Sequence, residues 1–361
     1  MTDRLFSTFK LGPIELANRV VMSPMTRSRA VENNVPGDLV ATYYAQRASA
    51  GLIITEGTSP SPDGLGYARI PGLFDAKTAA GWRGVADAVH AKGGRIFVQL
   101  MHTGRVSSEL NLPPGARVVA PTDVTLAGEM YTDVQGMQPH TKPHALTDAE
   151  VESTIEEYVT AGRLAREAGL DGVEIHAANG YLGEQFLNAG INTRTDRWGG
   201  SAENRNRFVV EIARRLAGAI GASRVGIRIS PYGVFNGTGA FEGVDAQYLA
   251  LVKELSALGL GYVHLLDHSA MGAPPVPEAL KSTLREAFHG TFILAGGFTK
   301  DSAEAALVER RADLVAFGRP FLANPDLVER LRAGHPLAEA DASTFYTPGE
   351  KGYTDYPPFA G

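Results

Sequence analysis

Residues 291–319 read TFILAGGFTKDSAEAALVERRADLVAFGR. Two short apolar runs, Thr291–Gly297 and Leu314–Arg319, flank a segment of helical spacing. Neither run alternates apolar with polar residues, so each describes a strand buried on both faces, as in a parallel sheet. The same unit recurs toward the N-terminus. Its strands fall at Arg19–Pro24 (RVVMSP), Leu52–Gly57 (LIITEG), Ile96–His102 (IFVQLMH), Gly172–Ala177 (GVEIHA), Val225–Ser230 (VGIRIS) and Tyr262–Asp267 (YVHLLD).

The intervening segments carry helix signals. Thr147 and Glu150 have capping-box spacing ahead of Val151, Ile155, Tyr158, Val159 and Gly162, a stripe at helical period. Ser201 precedes Phe208, Val209, Ile212 and Leu216, and Asp245 precedes Tyr248, Leu249, Val252 and Leu255. Asn324–Pro325 sets a capping side chain before a first-turn proline. Eight strands alternating with eight helices predict an α/β protein, a (β/α)8 TIM barrel forming a single domain over residues 1–361. A doubly wound dinucleotide fold competes, but no strand is followed by G-x-G-x-x-G.

Two segments fall outside the repeat. Residues 103–146, after strand three, hold five prolines and are too long for a plain connection, so they are expected to cap the barrel. Within them ARVVAP and VTLAGEMY are expected to pair as a hairpin over the mouth. The aromatic, turn-rich tail, residues 335–361, is expected to pack back on the body.

The 361 residues are 44% apolar and 20% charged, enough for a sizeable core and too apolar for disorder. With 34 basic against 40 acidic side chains, the net charge of −6 disfavours a chain-wide field for nucleic acid or anionic lipid. The absence of cysteine excludes disulfides, thiolate metal sites, cysteinyl clusters and a cysteine nucleophile. The start, MTDRLFSTFKLG, has no secretory pattern, and no apolar run approaches the ~20 residues that span a bilayer. The expectation is a cytoplasmic protein, monomer or homodimer, without nucleic acid or membrane.

In such a barrel the chemistry lies where strands end. Gly296-Gly297 and Gly318-Arg319 end strands seven and eight, the fold's usual phosphate site; tight turns and a surface ion pair are the plainer reading. His176, Asn179 and Tyr181 end strand four. They suit gripping a carbonyl or nitro oxygen and delivering a proton, or they are a satisfied loop histidine and two turn residues. Arg228, inside an apolar run, needs an anion; Glu174 or a cofactor gaining negative charge would serve. Gln99 poses a milder version of that question. Pro24, Met25, Thr26, Glu56 and Gly57 end strands one and two. His140 and His144 share a proline-bearing loop with no third ligand indicated, so no metal site is expected. Arg194–Ser201 (RTDRWGGS) is expected to be a hydrogen-bonded loop scaffold.

Eight stretches carry a resemblance: MSPMTR (22–27), VQLMHTGR (98–105), HAANGYL (176–182), QFLNAGINTRTDRWGGSAENRNRF (185–208), RIS (228–230), AGG (295–297), FGRPFLANPDL (317–327) and GYTDYP (352–357). In order over nearly the whole chain, they resemble the Old Yellow Enzyme family. Thr26 points to the branch of bacterial nitrate-ester, N-ethylmaleimide and morphinone reductases.

The resemblance implies a non-covalent FMN, NADPH or NADH as reductant, and ping-pong reduction of activated alkenes, extending to nitrate esters or nitroaromatics. It implies that Pro24, Met25, Thr26, Gly57 and Gln99 meet the flavin rings. Arg228 would stabilise reduced flavin, and Gly296, Gly297, Gly318 and Arg319 would bind its phosphate. His176 and Asn179 would hold the substrate oxygen and Tyr181 would give the proton, with Thr26 tuning the flavin. Tyr67, Met101 and Tyr353 would line the substrate pocket. Met101 stands where bacterial relatives commonly have tryptophan, so more room is expected there. The alternatives are a flavin-free barrel isomerase or lyase acting on a phosphorylated substrate, and a silent barrel scaffold.

Overall fold

The computed structural model describes residues 3–359. Eight parallel strands close a barrel: β1 (Val20–Met22), β2 (Leu52–Thr58), β3 (Ile96–Leu100), β4 (Gly172–Ala177), β5 (Val225–Ile229), β6 (Tyr262–Leu266), β7 (Thr291–Ala295) and β8 (Leu314–Phe317). Every residue in these strands is buried, as continuous apolar runs require when helices cover one face and a filled interior the other. The runs expected from the sequence coincide with all eight.

The outer layer is α1 (Asp38–Gln46), α2 (Ala76–His90), α3 (Asp148–Glu167), α4 (Ala202–Ile220), α5 (Val244–Ala257), α6 (Glu278–Ala287), α7 (Lys300–Val308) and α8 (Leu327–Ala333). Trp82, Ile155, Phe208 and Leu251 from this layer share one core with outward strand residues such as Ile53, Val98, Val173 and Val263. An N-terminal hairpin, Phe9–Leu11 with Ile14–Leu16, packs Leu11, Ile14 and Leu16 against the inward Val21, Ile54, Phe97, Tyr262 and Ile293. That plug closes the end of the barrel where the strands begin, so the opposite end is left for chemistry.

The capping box at Thr147 and Glu150 forms, and the Ser201 hydroxyl accepts from the Asn204 N–H. Two expected starts differ. Gly243, with φ of 78°, precedes α5, and Asp245 sits in its first turn. Asn324 caps nothing: its amide donates to the carbonyls of Pro320 and Ala338, tying a short helix (Arg319–Ala323) to the chain beyond α8.

The insertion is also built differently from expectation. Val119–Ala120 pairs in parallel with His144–Ala145, and Glu129–Thr132 pairs with Gly136–Pro139. The expected pairing of ARVVAP with VTLAGEMY does not occur, because a turn at 133–135 lets the second stretch find a nearer partner. Arg194 holds the insertion by donating to the carbonyls of Pro121 and Leu146, and Trp198 donates to Asp148, so RTDRWGGS is a scaffold. His144 pairs with Glu150 at 2.9 Å, and no metal-ligating cluster occurs among the described residues. No helix among them is long and apolar enough to cross a membrane.

Candidate active site

The strand ends enclose a cavity of about 640 Å³. Pro24, Met25, Thr26, Gly57, Tyr67, Gln99, Met101, His176, Asn179, Tyr181, Arg228, Gly296, Gly297, Gly318 and Arg319 all line it, although they span nearly 300 positions of sequence.

Its floor is a buried polar network. The Gln99 amide donates to Glu174 Oε1 at 2.8 Å, and His264 Nδ1 meets Oε2 at 2.9 Å. Arg228 lies beside His176 across the β4–β5 pairing. Glu174 offsets part of the cost of burying the guanidinium, yet burial still lowers its pKa. Its Nε is buried and has no partner. Both partners considered for Arg228 therefore have a place: Glu174 supplies charge, and an unpaired N–H is left over.

The β4 end carries the donors. The Ala178 N–H donates to His176 Nδ1 at 3.2 Å, so the neutral ring carries its proton on Nε2. Burial, then Arg228, His264 and His268, hold the His176 pKa well below its ordinary value. Asn179 takes a left-handed conformation, φ 58°, which asparagine tolerates better than most residues. Its N–H donates to Ser230 Oγ at 3.0 Å, and its carbonyl accepts from Asn236 Nδ2 at 2.7 Å. Beneath the turn, Glu184 accepts from the Gly180 N–H and from Ser230 Oγ, and burial pushes it up to about 7. The Tyr181 ring stands edge-on to His176, and its hydroxyl lies 3.0 Å from that of Tyr67. Burial pushes Tyr181 up, against the Tyr67 hydrogen bond and Arg228, so it stays protonated at neutral pH.

Across the cavity the wall is bare backbone. Gly296 and Gly297 have φ of 147° and 68°. A Cβ on Gly296 would lie 2.7 Å from the Asp267 carbonyl, and one on Gly297 would lie 2.5 Å from the Ala270 methyl, so neither position admits a side chain. Arg319 opens the short helix, is exposed, and makes no ion pair among the described residues. The surface ion pair considered for it is absent.

Met101 changes one expectation. A Cβ at Gly57 would collide with the Met101 thioether, so the flexible side chain already occupies part of the expected room. Tyr353 is a correction. It is fully buried away from the cavity, stacked on Tyr43 at 4.1 Å beneath Arg29. The cause is the tail's anchoring: Arg27 donates to the Gly352 carbonyl at 2.7 Å and draws Tyr353 into the core. Glu56 and His102 also face away, the first accepting from the Arg27 N–H and the second from that of Gly104.

The cavity also holds residues the strand-end reading passed over: Phe235, Asn236, His268, Phe345 and Tyr346. His268 follows YVHLLD directly, so strand ends applied to strand six would have found it. Phe345 and Tyr346 arrive by the tail, which strand order does not place.

The profile of the NADH:flavin oxidoreductase / NADH oxidase family matches residues 4–338. Over 375 residues the chain is 41% identical to 12-oxophytodienoate reductase 7 of Oryza sativa subsp. japonica, covering 98% of this chain and 94% of that one. It is 41% identical over 360 residues to a probable flavin mononucleotide-dependent alkene reductase of Leishmania infantum, covering 98% and 97%. Among solved structures, morphinone reductase superposes with a TM-score of 0.95 at 45% identity, covering 99% of this chain and 97% of that chain. Morphinone reductase in complex with tetrahydroNAD gives 0.93, also at 45% identity and covering 99% and 98%.

Proposed function

The chain belongs to the NADH:flavin oxidoreductase / NADH oxidase family, the Old Yellow Enzyme type of (β/α)8 flavin oxidoreductase, and from that premise we propose how its residues divide the work of an FMN-dependent, NAD(P)H-driven ene-reductase. The observation that carries the reading is one cavity holding two oxygen-directed donors and a phenol beside a buried, incompletely paired arginine. FMN suits the residues present. The glycine wall accepts close approach of a phosphate, Arg319 is uncommitted, and Arg228 Nε has an N–H to give. Bound FMN supplies hydride transfer, taken from NAD(P)H and passed to the β-carbon of an alkene conjugated to a carbonyl or nitro group.

The remaining work falls to the chain. His176 Nε2–H and the Asn179 amide donate to the substrate oxygen, bonds that strengthen as negative charge grows there. Tyr181 donates its proton to the α-carbon; its raised pKa keeps it protonated, and the Tyr67 hydroxyl lies within hydrogen-bonding range of the phenolate left behind. Arg228 would offset the negative charge that a reduced flavin carries there. Phe345, Tyr346 and Phe235 add aromatic surface to the cavity wall. Monomer and homodimer both suit this reading, and a cytoplasmic setting matches the use of NAD(P)H.

The test is an anaerobic spectrum of the purified protein reduced with NADPH and then given 2-cyclohexenone. Flavin absorption should bleach and return. A protein left colourless after FMN is added would restore the phosphorylated-substrate barrel. Tyr181→Phe should slow alkene reduction by on the order of a hundredfold and flavin reduction far less; equal loss in both would sink the proton-donor role.

A further inference from the structure

Asn179 has three hydrogen-bonding groups committed within the protein. Two belong to its backbone, held by Ser230 and Asn236; the third is the side-chain oxygen, which meets His268 Nε2 at 2.9 Å. Its side-chain amide nitrogen donates to nothing among the described residues, and Asn179 lines the cavity. The direction of that amide therefore depends on which His268 nitrogen carries a proton.

His268 is built to be rigid. It is 2% exposed, and Phe235 stands against its ring at 4.6 Å between centroids. The preceding Asp267 anchors the loop by accepting from the Ser269 N–H at 2.8 Å and pairing with Lys281 at 2.7 Å. His268 Nδ1 is buried with no partner. Burial, with Arg228 adding to it, holds its pKa near 4, so the ring is neutral and has one N–H. With that proton on Nδ1, a buried donor would be orphaned, which is rare; on Nε2, only an acceptor is left unpaired. The Nε2–H form is the cheaper one, and it fixes the Asn179 oxygen as acceptor.

We propose that His268 is a positioning residue: by donating to Asn179 Oδ1 it turns the Asn179 amide nitrogen toward the cavity. Beside His176 Nε2–H, this makes the oxyanion side of the site donor-only. Such a pair selects ligands that present an acceptor oxygen: an enone carbonyl, a nitro group or a phenolate. The inference rests on the flavin ene-reductase reading and deepens it.

The experiment compares wild type, His268→Gln and His268→Leu as FMN holoproteins, titrated with 4-hydroxybenzaldehyde while the flavin spectrum is followed. Glutamine reaches the Nε2 position with a donor amide, and leucine keeps the bulk without one. Leucine should weaken binding by about tenfold, and glutamine should recover to within about threefold. A leucine variant that holds FMN and binds the phenol as wild type does overturns the proposal. A wild-type protein that takes up no FMN overturns the ene-reductase reading instead. If the leucine variant loses FMN, nitrogen NMR of histidine-labelled wild-type holoprotein decides, the His268 signal being assigned by its loss in the glutamine variant. Protonated Nε2 with bare Nδ1 supports the assignment, and the reverse tautomer overturns it.

Discussion

Two segments lie outside the barrel repeat, and they are attached to different degrees. The tail is fastened from beneath by buried arginines. Arg29, 4% exposed, donates to the carbonyls of Thr344, Phe345, Gly349 and Lys351, and Arg27 donates to those of Phe345 and Gly352. The insertion is fastened at its rim by half-exposed pairs such as Arg117 with Glu150, and at its base by the single guanidinium of Arg194, which donates to the carbonyls of Pro121 and Leu146. The consequence appears at the site: Phe345 and Tyr346 line the cavity, and no residue of 103–146 does. A guanidinium that satisfies several carbonyls at once fixes a loop in place, whereas solvated ion pairs contribute little. The segment that looked like a lid by length is not the one that forms the wall.

Removing the strongest tail anchor should show the difference most sharply. Arg29→Ala removes the donor from the buried Thr344 carbonyl and from three partly buried ones and leaves a cavity, at a cost of about 3 kcal/mol. Unfolding temperature should fall by roughly 4 °C. Limited proteolysis should then cut within 335–361 before it cuts the barrel. A variant whose tail resists protease as the wild type does would mean that the Tyr353–Tyr43 stack, not the arginines, holds the segment.

Acid and base should separate the two attachments by sign. Glu56 lies under the tail anchors, and burial, opposed by Arg27, pushes it up to about 7. A carboxyl whose folded pKa exceeds its unfolded one favours the fold below about 4.5, and that contribution is lost as pH rises to about 7. Glu56→Gln should remove up to about 3 kcal/mol of this loss and flatten stability over that window. Glu150, on the insertion side, is held well below its usual range by the Thr147 N–H, His144 and Arg117. Its contribution is present above the unfolded pKa and disappears as pH falls. Unfolding of Glu56→Gln and Glu150→Gln followed from about pH 2 to about pH 7.5 checks the opposition, the first departing from wild type in slope above about pH 4.5 and the second below it; parallel curves would refute it.

The contrast also explains what the sequence revealed. All eight strands were legible because continuous Val- and Ile-rich runs have one stable environment, buried on both faces. The site followed from them, since strand ends converge wherever a barrel closes, and His176, Asn179, Tyr181, Arg228 and the glycines meet as expected. What was lost lies on segments positioned by particular long-range bonds. Tyr353 was misplaced because nothing near it in sequence announces Arg27, more than 300 residues away. Asn324 looked like a cap because its neighbours suit one, yet two distant carbonyls claim its amide. Met101 was read from its size, and its seat against Gly57, where a Cβ would meet its thioether, is a property of two neighbouring strands.

One residue, Arg69, bridges the two segments, and it offers the finest test. Arg69 pairs with Asp133 at the insertion's hairpin turn and donates to the Tyr346 carbonyl at 2.8 Å. On the Tyr346 side the insertion therefore reaches the cavity wall only at one remove, through a guanidinium that is 20% exposed and a carboxylate that is 45% exposed, whereas Arg105 donates directly to the Asn236 carbonyl. Exposed pairs of this kind are worth well under about 1 kcal/mol, and Arg69 keeps its bond to the tail when Asp133 is lost. Asp133→Ala should leave unfolding temperature within about 2 °C of wild type and change the binding of 4-hydroxybenzaldehyde by less than about twofold. The same titration on Tyr346→Ala should shift more, because that ring is part of the wall itself. If Asp133→Ala proved the more damaging of the two, the insertion would control the site through Arg69, and the division between anchored wall and solvated flank would not hold.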